Sequence, residues 1–270
     1  MSWIITGTQK NKGLLDEFSG AAAAYSLRNL TFLRGGPVVR VRRSSDNAQK
    51  DFTAAEVSDG SLASWVGAGN NGFVRTWYDQ SGNGNNAVQT TSANQPTIVS
   101  SGSVILEAGK PTLQFDGIND KLQADGVSLA QPFQFFFVAK ETTNGTVSNT
   151  FIDATGQRAN FILSSIAGIG TSINAGATVS DGVYPSNIRT LYTALYNSTN
   201  SFIARQGTIT ATGDAGSGGL TQMTIGNNSG GNQLAYFTGP MQELIVYPSN
   251  QSANRIAIES SINAHYSIYP

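Results

Sequence analysis

The chain has 270 residues, with 16 Lys and Arg against 17 Asp and Glu, a formal net charge of −1 and no cysteine. That near-neutral balance offers no electrostatic attraction to nucleic acid or to an anionic membrane, and without cysteine there is neither a disulfide nor a thiolate metal site. Charged residues make up only 12%, about half the usual share of ~25%, so the surface is polar but weakly charged.

Residues 1–17 join a short apolar patch, Trp3, Ile4 and Ile5, to a polar stretch through Lys10, Asn11 and Lys12, and read as an arm preceding a domain over 18–270. Trp3, Ile4 and Ile5 are its candidate assembly residues. The start lacks the basic residues, apolar run and cleavage site of a signal peptide. No run approaches the ~18 apolar residues of a membrane span, so synthesis in a cytoplasm without membrane insertion is expected.

The first strand is expected from Ala24 onward. Over 38–42 the last four residues alternate apolar and basic, the period of a half-buried strand with Arg40 and Arg42 on one face, solvated or spanning the sheet, with a carboxylate clamp as the alternative. A helical turn over 62–66 precedes a strand over 73–78. That strand runs into the least ordinary stretch of the chain, Asp79-Gln80-Ser81-Gly82-Asn83-Gly84-Asn85-Asn86. Such residues tolerate left-handed backbone and bond their own main chain, which suits a structural turn, with a ligand site as the alternative. As a calcium loop it fails. Asp79, Ser81 and Asn83 fill the first three ligand positions and Gly84 the sixth, but Thr90 stands where the bidentate Glu belongs.

Short strands follow over 96–99, 104–106 and 112–117. The run Phe133-Gln134-Phe135-Phe136-Phe137-Val138-Ala139 is too apolar to face water and predicts a central core strand. Further strands are expected over 151–152, 161–165, 188–197, 201–206, 222–226 and 239–247, with a hairpin turn at 197–200. Strands of this length and spacing, separated by turn residues, are the signature of a sandwich or jelly roll. One helix of about 13 residues is expected from an N-cap at Ser252, with Ile258, Ile262 and Tyr266 on one apolar stripe. His265, the only histidine, lies beside that stripe and reads as packed or solvated.

Three stretches carry a resemblance: Ala24-Tyr25-Ser26-Leu27, Val39-Arg40-Val41-Arg42-Arg43-Ser44-Ser45-Asp46-Asn47, and Trp77-Tyr78-Asp79-Gln80-Ser81-Gly82-Asn83-Gly84-Asn85. They resemble the catalytic domain of the fungal α-L-arabinofuranosidase B family, and more closely a set of bacteriophage proteins sharing its fold. The end, from Phe237 to Tyr247, is similar to the closing strand of laminin-G-like folds. The resemblance implies an all-β, concanavalin A-like (laminin-G-like) jelly-roll sandwich with one C-terminal helix.

Its catalytic implication does not carry over residue by residue. The family's nucleophile is a Glu that would fall within 161–173, where this chain has no acid. The family's acid is an Asp that would fall on Ile225-Gly226-Asn227-Asn228-Ser229, where asparagine cannot donate a carboxylic proton. The family also depends on cysteines that are lacking here. Asp79, Asp116, Asp120, Asp153 and Glu243 remain as acids on or near the strands, and no Ser-His-Asp set, phosphate loop or His-based metal spacing is present.

The expectation is therefore a bacteriophage virion protein without catalysis, displayed on the particle surface as capsid decoration or a head knob. Its partners would be other virion proteins in a homo-oligomer such as a trimer, with no cofactor, metal or nucleic acid. The first alternative is a tail-fibre or tail-spike adhesin binding host surface glycans, with Trp77, Tyr78, Asp79, Asn83, Asn85, Tyr184 and Tyr236 as candidate glycan-binding residues. Trp65 is a further aromatic available for stacking on sugar. The second alternative is an α-L-arabinofuranosidase-like glycoside hydrolase.

Overall fold

The most apolar run of the chain is also the centre of the structure, a computed structural model that describes residues 12–32, 35–142, 148–155, 159–165, 168–227 and 235–270. The strand Phe133–Ala139 is buried along its whole length between Thr190–Tyr196 and Thr238–Tyr247, with Phe137 in register with Tyr192 on one side and Leu244 on the other. Alternate residues of a strand point to opposite faces, and here both faces are covered. Phe133, Phe135 and Phe137 enter the main core, where the Phe137 ring lies 5.4 Å from Phe151 and 4.8 Å from Phe161. Phe136 and Val138 face the other way, beneath Ile258, Ile262 and Tyr266 of the C-terminal helix Arg255–Tyr266. Burial on both faces is why this strand lacks the polar alternation of a half-exposed one.

The fold is all-β. Among the described residues every strand belongs to one hydrogen-bonded sheet except the small hairpin Leu106–Glu107 with Lys110–Pro111. The sheet folds over so that Leu122–Leu129, Leu220–Ile225, Ser148–Ala154, Asn160–Ser164, Gly170–Asn174 and Thr178–Ser180 form a second layer. Phe151, Phe161, Ile173, Met223 and Ile225 from this layer meet the phenylalanines of the first. The last strand of the second layer, Thr178–Ser180, lies against Thr208–Gly213 of the first, so the sheet nearly closes on itself.

The helical turn expected over 62–66 is Ser61–Val66. Ahead of it stands an unexpected helix, Ala54–Ser58, whose capping box of Thr53 and Glu56 was legible as Thr-x-x-Glu. The C-terminal helix starts at Arg255 with Asn254 at its N-cap position, two residues later than expected, because Ser252 donates its N–H to Asn250 Oδ1 in a preceding turn. Its buried stripe is as expected. Arg40 grips Asp51 on the neighbouring strand at 2.6 and 2.8 Å, and Arg42 reaches Gln95 at 2.7 Å and Asn47 at 2.9 Å. Within the expected arm, Leu14–Glu17 is a short helix that buries Leu14 and Leu15 in the cluster under the C-terminal helix. Trp3, Ile4 and Ile5 lie outside the described residues.

Candidate functional site

The outward face of the second layer carries a polar row built by strand register. Gln123 pairs with Thr224, Thr224 with Asp153, Asn160 with Asn174 and Asn174 with Thr178. Ile152 faces Phe161, so the next antiparallel step sets Asp153 beside Asn160 and joins the two halves of the row. The flanking residues Leu122, Ala124, Met223, Ile225, Ile152, Ala154, Phe161 and Ile173 all enter the core. Strand alternation therefore turns the polar row away from it.

The centre of the row is the more deeply set, with Asp153 0%, Thr224 4% and Asn160 6% exposed, whereas Thr178 at its end is exposed. Asp153 Oδ1 accepts the N–H of Ala154 at 2.9 Å. Asn174 Nδ2 donates to Thr178 Oγ1 at 2.8 Å. The Oδ1 of Asn160 and that of Asn227 are both buried without a hydrogen-bond partner, and a buried acceptor left unpaired costs about 1–3 kcal/mol. Below the row, the Tyr196 hydroxyl donates to the main-chain oxygen of Asn160 at 2.6 Å. Burial first, and then the nearby Asp153, holds that phenol well above its ordinary pKa.

Asn227 reaches this neighbourhood through Gly226, whose N–H donates to Phe151 O at 2.9 Å. Gly226 has φ 88°, and a Cβ there would stand 2.5 Å from the Phe115 ring, so the turn requires glycine. Amides, hydroxyls and one carboxylate on a sheet face offer both donors and acceptors, the set that saccharide hydroxyls need. Asp153 is the group in the row that can move a proton.

The residues singled out in the Asp79 turn do a different job. Trp77 is wholly buried, its ring 5.6 Å from Tyr25 in the core, so the expected stacking face is not available to a sugar. Trp65, too, is spent on packing, its ring edge-on to Phe52 at 5.4 Å. Asp79 accepts the N–H of Ala24 at 2.9 Å, of Ser81 at 2.8 Å and of Asn85 at 3.0 Å, and the Ser81 hydroxyl at 2.7 Å. Asn83 Nδ2 donates to Ala21 O at 2.9 Å and Asn85 Nδ2 to Ala22 O at 2.9 Å. The Tyr78 hydroxyl is committed to Asp51 at 2.8 Å. The motif is thus a clamp on the strand Ala23–Ser26, and the expectation of glycan contacts from Trp77, Tyr78 and Asp79 is corrected. Tyr184 packs partly buried against the core, Tyr236 is half-buried, and neither belongs to the polar row.

Asp153 was visible in sequence only as one acid among several. Its partners in the row, Gln123, Thr224, Asn160 and Asn174, carry no motif, and only the period-2 pattern Leu122-Gln123-Ala124 hinted at an outward Gln. Of the stretches where the resemblance would put the two family carboxylates, one contributes Phe161 to the core and the other a buried Asn227.

No protein-family model matches the chain, and no curated protein matches it. Solved structures do. An arabinofuranosidase complexed with arabinofuranosyl-α-1,2-xylobiose is 18% identical over 90% of this chain and 62% of its own, with a TM-score of 0.66. A GH54 α-L-arabinofuranosidase soaked with a cyclic sulfate inhibitor is also 18% identical, over 93% of this chain and 63% of its own, with a TM-score of 0.66. The chain thus spans 62–63% of the length of these two proteins. At this identity the likeness is one of fold. Solved structures sharing that fold over nearly the whole chain are glycosidases, and on this finding the expectation of a bacteriophage virion protein without catalysis is set aside.

Proposed function

We propose that the chain is a glycan-active protein of glycoside-hydrolase type, built on a concanavalin-like jelly roll, that acts on α-L-arabinofuranosyl groups at the polar row. The observation that carries this reading is Asp153, set deep in a face of sugar-compatible groups between Thr224 and Asn160. The arabinofuranosidase fold supplies the substrate class.

In this reading Asp153, wholly buried in the structure, becomes accessible as an arabinoside enters the row, and its carboxyl gives its proton to the glycosidic oxygen as the bond to the anomeric carbon breaks. Water adds to that carbon, and the proton it loses restores the carboxyl. Thr224, Asn160 and Gln123 hold sugar hydroxyls along the row. A double displacement would need a second carboxyl about 5–5.5 Å away. Direct attack by water ordinarily also uses a second carboxylate, as base; among the described residues the row carries Asp153 alone, and in this reading water attacks without one.

The test is release of nitrophenol from 4-nitrophenyl α-L-arabinofuranoside by the full chain and by Asp153→Asn, with thermal midpoints measured in parallel. The expected result is turnover by the parent and a loss of about 100-fold or more in the folded variant. Absence of turnover by the parent, or equal rates for both, overturns the reading.

A further inference from the structure

A second polar cluster lies away from the row. A cavity of about 870 Å³ opens between the helices Ala54–Ser58 and Ser61–Val66, the hairpin of Leu106–Glu107 with Lys110–Pro111, and the last turn of the C-terminal helix. Arg28, Lys110, His265 and Tyr266 line it together with apolar surface from Leu27, Val57 and Pro111. It shares no lining residue with the polar row.

The charges do not balance. Arg28 makes two contacts with Glu243, at 2.8 and 2.9 Å, and lies 5.6 Å over the Tyr266 ring. The same carboxylate accepts the hydroxyls of Ser26 at 2.8 Å and Tyr266 at 3.1 Å, so its oxygens are already engaged. Lys110 is held in place by its own main chain, whose oxygen accepts Gln242 Nε2 at 3.2 Å. The neighbouring acid Glu107 is taken by Lys140 at 2.7 Å. Among the described residues Lys110 has no ion-pair partner. Both charged residues that line the cavity are thus cations, Arg28 paired with Glu243 and Lys110 unpaired, while the nearby acids Glu56 and Asp59 accept the N–H groups of Thr53 and Ser61. His265 records this field: burial, then Arg28, then Lys110 push its imidazole down to about 4, against a weaker upward pull from Glu243. The ring is neutral at pH 7 and keeps one N–H to donate.

We propose that this cavity binds a small organic carboxylate of the size of a sugar acid. One unbalanced positive charge matches one carboxylate, and the His265 N–H adds a donor. The apolar walls take a carbon skeleton, and the volume is in the range of small-molecule sites, about 300–1,000 Å³.

His265 is the only histidine, so its imidazole resonance reports on this cavity alone. We would titrate the full chain with D-glucuronate and, separately, with D-glucose and inorganic phosphate, following the His265 ring proton by NMR. The expected result is a saturable shift with glucuronate only, together with a rise in the His265 pKa, since an added anion favours the imidazolium. In Lys110→Gln the affinity should fall about tenfold or more, while Lys110→Arg keeps it within a few-fold, both at unchanged thermal midpoint. No saturable shift with glucuronate, an equal response to glucose or phosphate, or unaltered affinity in Lys110→Gln overturns the proposal. Because the readout is binding at a different place, the result is independent of arabinoside turnover.

Discussion

Asp153 stands directly opposite Thr224 on antiparallel strands, and the same register that pairs them sends Ile152 and Ile225 into the core. Side-chain alternation thus ties the position of the carboxylate to the packing of its neighbours. A one-residue slip would bury Asp153 among phenylalanines and expose isoleucine, so core packing enforces the geometry of the row.

Adding a second acid beside Asp153 tests whether it works as a proton donor. In Asn160→Asp the two carboxyls become neighbours, and like charges raise the pKa of one of them. The alkaline limb of the rate–pH profile should move to higher pH. A profile identical to that of the parent, in a folded variant, would remove Asp153 from the proton transfer.

Asp79 is predicted to be structural. Asp79→Ala removes the acceptor of three main-chain N–H groups and one hydroxyl. Donors left without a carboxylate should cost about 2–4 kcal/mol in urea unfolding, taking ~1.5–3 kcal/mol per charged hydrogen bond and allowing for strong non-additivity. The rate of arabinoside turnover at the polar row should be retained under conditions where the variant is folded.

Breaking one side of the Arg28–Glu243 pair should cost more than removing both. The Glu243 side chain is fully buried and that of Arg28 is 18% exposed. Glu243→Gln leaves a largely buried guanidinium without its counter-charge, at about 3–5 kcal/mol. Arg28→Met with Glu243→Leu should recover part of that loss, which a double-mutant cycle by chemical denaturation measures. A double variant as unstable as the sum of the singles would argue against charge as the cause.

Asp120 should make the fold less stable as pH rises. Its burial, followed by the charge of Asp116, raises its carboxyl pKa from 3.8 to about 7, against a donated N–H from Asp116. Between about pH 4 and 7 the unfolded chain gives up this proton while the folded chain holds it, so this group's contribution to stability declines across that window. Asp120→Asn cannot titrate. Relative to the parent, its thermal midpoint should improve from pH 4 to pH 8, and a constant difference would contradict the assignment.

Much of the fold was legible because it rests on local chemistry. The run from Phe133 to Ala139 could only be a strand buried on both faces, and Ile258, Ile262 and Tyr266 could only be one side of a helix, since apolar periodicity reports burial directly. The strand Leu122–Leu129 was missed because Asp125 and Gly126 interrupt its pattern where the pairing with Leu220–Ile225 shifts register. The candidate site lay beyond sequence for a different reason. Gln123, Thr224, Asp153, Asn160 and Asn174 come from five strands and acquire meaning only as cross-strand neighbours. The dense Asp79 motif, by contrast, drew attention as a site and proved to be a clamp, because turn residues that bond main chain look alike in sequence whether the main chain or a ligand is the partner. The sequence by itself determined an all-β core, its central strand and its closing helix, through burial and periodicity. Which polar side chains share a face, and which charged side chains line a cavity, was decided by tertiary structure alone, because both depend on contacts between residues far apart in the chain.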